Sequence, residues 1–235
     1  MQKRMTIQEF LAQVENHLIA SCQALPDEPL HGSEIMVRMA RAAKQGGAKA
    51  IRANSPQDVK AIKDDIGLPV IGIFKENIPG FNVYITPTMK HVQAIADTGA
   101  EVVAVDATKQ EHPDGDLKDF LRRIREETPC LVMADISTYE EGMQAAEYGV
   151  DLVSTTLSGY TPYSQKVDGP DLALVEKLAR NCGVPVIAEG KYHTPEQAVD
   201  ALEHGAASVV VGGAISRPQQ ITARFVQALD ARLAK

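Results

Sequence analysis

The 235-residue chain carries 31 acidic against 24 basic side chains, for a net charge of −7, with 44% hydrophobic and 23% charged residues. That balance suits a globular chain with a substantial core and argues against a general nucleic-acid binder, which needs a basic face. It leaves room for a locally cationic pocket holding a phosphorylated small molecule. No apolar stretch approaches the roughly 20 residues of a membrane span, so no membrane partner is expected. Lys3 and Arg4 are not followed by the apolar core of an export signal. Cys22, Cys130 and Cys182 are odd in number and lack metal-ligand spacing, which predicts reduced thiols in a cytoplasmic protein and no metal site.

In chain order, residues 6–17 open with Thr6-Ile7-Gln8-Glu9, a capping-box pattern, and continue with the apolar stripe Phe10, Leu11 and Val14. They predict an extra helix that closes one end of the fold. Eight apolar runs follow, at 18–23, 48–53, 69–75, 101–108, 130–137, 151–157, 185–190 and 208–214. They are rich in Val and Ile, and most lack strict polar alternation, as strands buried on both faces do. Between them lie amphipathic helical patterns at 33–45, 55–65, 117–127, 139–148, 172–181 and 194–204. Two of these begin with Ser55-Pro56 and Thr194-Pro195, a capping residue and then proline at the first helical position. Gly47-Ala48, Gly99-Ala100, Gly149-Val150 and Gly205-Ala206 repeat one junction, in which glycine stops a helix and turns the chain into a strand.

Eight repeating strand–helix units predict a closed (β/α)8 TIM barrel, residues 1–235 forming one domain with 6–17 as its N-terminal capping helix. A doubly wound open sheet is the alternative. It would carry a glycine fingerprint after the first strand, and Ser21-Cys22-Gln23-Ala24-Leu25-Pro26 is not one.

In a barrel of this kind the chemistry sits at the C-terminal ends of the strands. The apolar runs end in Gln23, Arg52, Lys75, Asp106, Asp135, Thr155-Thr156 and Glu189, with Gly190, Gly212 and Gly213 close behind. The last two glycines, followed by Arg217-Pro218, form a phosphate-binding pattern: glycines let backbone N–H groups approach the anion, and a helix N-terminus favours it. Arg217 adds a charge-assisted contact. Lys75 ends a buried run, unlike Lys60 and Lys63, which read as solvated helix-face lysines. Burial and a nearby cation such as Arg52 would lower its pKa and produce a neutral amine. Glu189 supplies a carboxylate across the same mouth; its simplest role would be to pair with Lys75 or Arg52. His91 and His112 read as surface residues, Cys22 as a packing residue, and the loop from Gly159 through Tyr160 to Tyr163 as a cover for the substrate.

Seven segments carry a resemblance: Ser21 to Pro26, Ala50 to Asn54, Val70 to Lys75, Ala134 to Ser137, Thr155 to Thr161, Ile187 to Gly190 and Val211 to Pro218. In this order they resemble the N-acetylmannosamine-6-phosphate 2-epimerases of bacterial sialic-acid catabolism, from Leu18 to the final helix. The resemblance implies a ribulose-phosphate-binding type of barrel and a catalytic pair of lysine and glutamate, which map to Lys75 and Glu189. It implies sugar contacts from Gln23, Arg52 and Asp135; Thr156, from its place at a strand end, and Tyr160, from the covering loop, are expected to join them. Phosphate falls to Gly190, Gly212, Gly213 and Arg217. It also implies a homodimer assembled through the C-terminal helix. The segment before Leu18 is longer than in many relatives, and Lys191 and Glu76-Asn77 stand where relatives vary.

The implied reaction is epimerisation at C2 of an N-acylmannosamine 6-phosphate, with no redox cofactor. The C2 proton, α to the ring-opened C1 aldehyde, is removed by Lys75 and returned on the other face. Either Lys75 alone shuttles the proton or Glu189 is the opposing acid; Glu189 could instead be a hydrogen-bonding group, Arg52 and Gln23 would stabilise charge developing on oxygen, and Asp135 would orient a hydroxyl or Lys75. Two other readings stay open: a different phosphosugar enzyme, such as an aldolase using Lys75 as a Schiff base, a decarboxylase or an isomerase; and a non-catalytic phosphosugar-binding regulator.

Overall fold

In the computed structural model, which describes residues 5–233, eight parallel strands close in sequence order into a barrel. They are β1 (Leu18–Cys22), β2 (Ala50–Asn54), β3 (Val70–Ile73), β4 (Val102–Asp106), β5 (Leu131–Asp135), β6 (Leu152–Ser154), β7 (Val186–Glu189) and β8 (Ser208–Val211). The helices are α1 (Ile7–Val14), α2 (Ser33–Gln45), α3 (Pro56–Ile66), α4 (Met89–Ala96), α5 (Leu117–Glu127), α6 (Tyr139–Glu147), α7 (Leu172–Asn181), α8 (Pro195–Glu203) and α9 (Pro218–Leu233). The TIM-barrel expectation holds, and β8 closes on β1 with Ile19 opposite Val210. Lys3 and Arg4 lie outside the described residues. Among the described residues no helix is long and apolar enough to cross a membrane.

Alternation along each strand sorts the core into two shells. Ile19, Ala50, Ile71, Ile73, Val102, Ala104, Leu131, Met133, Leu152, Ile187 and Val210 share one buried cluster that fills the barrel. Their neighbours Ala20, Ile51, Val70, Val103, Val132 and Val153 face outward into a second cluster under the helices. Helix α1 joins the inner shell through Phe10 and Val14, both fully buried, and so plugs the barrel. Its start has the anticipated capping box: Glu9 N–H donates to the Thr6 hydroxyl at 3.2 Å, and Thr6 N–H donates to Glu9 Oε2 at 2.9 Å. Ser55 and Thr194 cap α3 and α8 as their Ser-Pro and Thr-Pro pairs predict.

The residues between β3 and β4 depart from a simple strand–helix unit. The run at 69–75 yields a strand of only four residues. The chain then leaves the barrel and returns, so that Lys75 forms an isolated antiparallel bridge with Ile85 before α4 begins. A helix ending before Gly99 is anticipated from the Gly99-Ala100 junction, though without bounds, and α4 fills that place. Gly72 on β3 admits it: a Cβ there would lie 2.5 Å from Ile95 Cγ2 on α4.

Candidate active site

Alternation continues past the apolar layers and brings polar residues into the barrel mouth. Counting in twos from the inner shell leads from Ile19 to Ser21 and Gln23, from Ala50 to Arg52, from Ile73 to Lys75 and from Ala104 to Asp106. On the other side it leads from Met133 to Asp135, from Ser154 to Thr156, from Ile187 to Glu189 and from Val210 to Gly212.

Arg52 is the centre of this layer and is 1% exposed. Its Nη1 and Nη2 donate to the two oxygens of Asp135 at 3.1 and 2.5 Å, and Nη1 lies 2.9 Å from Glu189 Oε2. Thr156 donates to Asp135 Oδ1 at 2.7 Å and contacts Glu189 Oε2 at 3.2 Å. A buried guanidinium needs such pairing, because desolvation would otherwise outweigh its attraction to any single partner. Asp135 thus grips Arg52 and Thr156 and makes no hydrogen bond to Lys75. Arg52 and Asp135 are covered by the residues above them.

Lys75 faces the cavity. Its Nζ donates to Gln23 Oε1 at 2.8 Å, and Gln23 Nε2 donates to Ser21 Oγ at 2.9 Å. Asn54 Oδ1 accepts from the Lys75 backbone N–H at 2.9 Å, which holds the residue at the barrel rim. Burial, then the Arg52 and Arg217 cations, bring its pKa down to about 8. The anticipated influence of Arg52 is thus present, behind the larger contribution of desolvation. Burial raises the Glu189 carboxyl above the usual carboxylate range, and Asp135 adds to this against the pull of Arg52. In a ring of eight strands, β3 and β7 lie opposite one another, so Lys75 and Glu189 reach the mouth from facing walls.

Both line a cavity of about 300 Å³, together with Gln23, Thr156, Tyr160, Gly190, Gly212, Gly213 and Arg217. Nine of the eleven residues singled out from the sequence therefore line one cavity, and Arg52 and Asp135 lie beneath it. Gly190 has φ +110°, and a Cβ there would sit 3.6 Å from the carbonyl oxygens of Thr155 and Thr156. At Gly213 a Cβ would come within 2.3 Å of Gln220 Oε1. Tyr160 is 59% exposed at the rim. Arg217 lines the cavity but also pairs with Glu28, at 2.8 Å from Nε and 2.9 Å from Nη2.

Three sequence expectations are corrected. His91 and His112 are buried. His91 lies 2.6 Å from both Thr88 and Glu76, and His112 packs against Phe120. Lys63 is not a solvated surface cation, because it pairs with Glu101. Cys22 is a packing residue as anticipated, its thiol pushed up to about 12 by burial. Sequence reasoning missed Tyr84, Tyr192 and Gln220 in the cavity wall. None ends an apolar run, so no periodic signal marks them.

A family model described as "Putative N-acetylmannosamine-6-phosphate epimerase" matches residues 36–231. A relative from Caldanaerobacter subterraneus, named "Putative N-acetylmannosamine-6-phosphate 2-epimerase", is 55% identical over 95% of both chains. One of the same name from Clostridioides difficile is 52% identical over 94% of this chain and 99% of its own. The solved structure of the N-acetylmannosamine-6-phosphate 2-epimerase from Clostridium perfringens superposes with a TM-score of 0.92 at 51% identity, covering 97% of this chain and all of the other. With a match across most of its length and half its residues shared with each of these relatives, the chain belongs to the N-acetylmannosamine-6-phosphate epimerase family.

Proposed function

We propose that this protein epimerises N-acylmannosamine 6-phosphate at C2 to the glucosamine epimer, as a step of sialic-acid catabolism, with Lys75 and Glu189 acting on opposite faces of the reacting carbon. The observation that carries this reading is that Lys75, just beyond β3, and Glu189, at the end of β7, come from opposite sides of the barrel to line one cavity. Inversion at carbon needs a proton removed on one side and delivered on the other, and two groups on facing walls meet that need without turning the substrate.

In the open-chain sugar the C2 proton is acidic because its carbanion is delocalised onto the C1 oxygen. Lys75, with a pKa of about 8, has a sizeable neutral fraction near neutrality and accepts that proton. Gln23 holds the amine towards the cavity. Glu189, raised by burial, retains a proton at a pH where an ordinary carboxyl has lost it, and delivers it to the other face. Arg52 and Thr156 hold the Glu189 carboxyl group from below, and Asp135 orients both of them. The phosphate is assigned to Gly190, Gly212, Gly213 and Arg217, with Tyr160 over the sugar. Their common cavity and the start of α9 beside Gly213 support this.

The protein acts as a cytoplasmic homodimer in this reading. Cys22, Cys130 and Cys182 are buried and form no disulfide among the described residues, as in a reducing compartment. Helix α9 buries no residue and exposes Phe225, Val226, Leu229 and Leu233 along one stripe, a surface suited to a second copy. The test is incubation of the purified protein with N-acetylmannosamine 6-phosphate in deuterated water. C2 deuteration with appearance of the glucosamine epimer is expected, and an unchanged substrate would refute the activity.

A further inference from the structure

Resting on the epimerase reading, we infer that Tyr84 is a further catalytic residue, whose phenol donates a hydrogen bond to the C1 oxygen as that oxygen takes up charge. Removal of the C2 proton breaks the C2–H bond and sends the proton to Lys75 Nζ. The freed pair forms a C1–C2 double bond and drives the carbonyl pair onto the C1 oxygen. That oxygen needs a donor. Arg52 is poorly suited, since it lies under the cavity with both terminal nitrogens committed to Asp135 and Glu189.

Tyr84 lines the same cavity as Lys75 and Glu189, and its ring packs against the barrel's inner shell. Its hydroxyl has no hydrogen-bond partner among the described residues, whereas Gln23, Lys75, Thr156 and Glu189 in the same cavity each have one. It faces the charges of Asp135, Asp106 and Arg52. Burial, then Asp135 and Asp106, push its pKa up to about 12, so it keeps its proton throughout the working range. The order of groups along the substrate fixes which atom it meets. The phosphate on C6 lies at the β7–β8 rim and C2 lies at Lys75 on the β3 side. C1 is the end remote from the phosphate and therefore extends past Lys75, towards the β3–β4 side where the segment carrying Tyr84 lies between Lys75 and Asp106.

The backbone holds Tyr84 in place. Lys75 bridges to Ile85, Glu76 N–H donates to the Tyr84 carbonyl at 3.0 Å, and Thr86 N–H donates to the Phe74 carbonyl at 2.9 Å. Thr86 itself has φ +50°, a conformation that a β-branched residue adopts only under strain. Its hydroxyl donates to the Ala104 carbonyl at 2.7 Å and accepts from Phe74 N–H at 3.1 Å. Strain held by surrounding bonds is a feature of segments that must present one side chain accurately.

The experiment is Tyr84→Phe, which keeps the packed ring and deletes the donor, assayed beside wild type by C2 exchange in deuterated water and by steady-state kinetics. Loss of an oxyanion donor predicts a fall in kcat of about 10²-fold with KM little changed. A kcat close to wild type, or an effect confined to KM, overturns the assignment. Fluorotyrosine at position 84 retains the ring and ionises at lower pH. It should steepen the alkaline fall of kcat relative to wild type, and an unaltered profile also overturns the assignment. Failure of wild type to exchange C2 at all would instead defeat the epimerase reading.

Discussion

Lys75 and Glu189 occupy facing walls of the barrel, yet their charges are linked through one residue: Arg52, from β2, lowers the pKa of Lys75 and contacts Glu189 at 2.9 Å. A single buried cation thereby favours the neutral amine on one side and holds the carboxyl on the other.

Replacing Lys75 by Met should reduce kcat by about 10³-fold, as loss of a proton-transfer group does. In wild type, kcat/KM should pass through a maximum between about 7 and 8, rising as Lys75 loses its proton and falling as Glu189 loses the proton it delivers. The same shift affects stability. Between about 8 and the ordinary lysine value of 10.5, the unfolded chain binds more protons at this site than the folded one. Stability from this group therefore increases with pH across that window, and the full penalty applies below it. Lys75→Met should accordingly melt higher than wild type at pH 7, with the gap closing towards pH 10. Calorimetry at the two pH values checks the sign.

Glu189→Gln separates proton removal from proton delivery. With Lys75 intact, the mannosamine epimer should still lose its C2 hydrogen to deuterated solvent, while net epimerisation drops by about 10²-fold or more. NMR of C2 in the starting epimer reads the first and the product signal reads the second. Equal loss of both would place Glu189 outside the proton path.

Arg217→Ala should raise KM for the phosphosugar by one to two orders of magnitude, about the worth of a charge-assisted contact, with a smaller effect on kcat. Glu28→Gln frees Arg217 from its carboxylate partner and should tighten binding of inorganic phosphate, measured as competitive inhibition. Unchanged KM in the first variant moves the phosphate elsewhere.

Phe10→Ala should cost about 3–5 kcal/mol, because Phe10 is fully buried in the inner shell that α1 closes. Denaturant unfolding measures it. A loss below about 1 kcal/mol would mean that the helix is only loosely docked.

Much of this protein was written in its strand periodicity. Residues two apart point the same way, so the register that packs Ile19, Ala50, Ile71, Leu131 and Ile187 inside the barrel also turns Gln23, Arg52, Lys75, Asp135 and Glu189 into its mouth. Fold and most of the candidate site could be read from one pattern, because one physical rule produces both. The partners of those groups could not be read. Whether Asp135 would hold Lys75 or Arg52 depended on which side chain reached it across 83 residues of separation. The burial of His91 and His112, the pairing of Lys63 with Glu101 and the arrival of Tyr84 beside Lys75 likewise depended on where loops and helices from different units come to rest. Local sequence determines which face of its own element a side chain occupies. Only the closed barrel determines what it meets there, because those encounters arise between units whose relative placement is set by packing of the whole core.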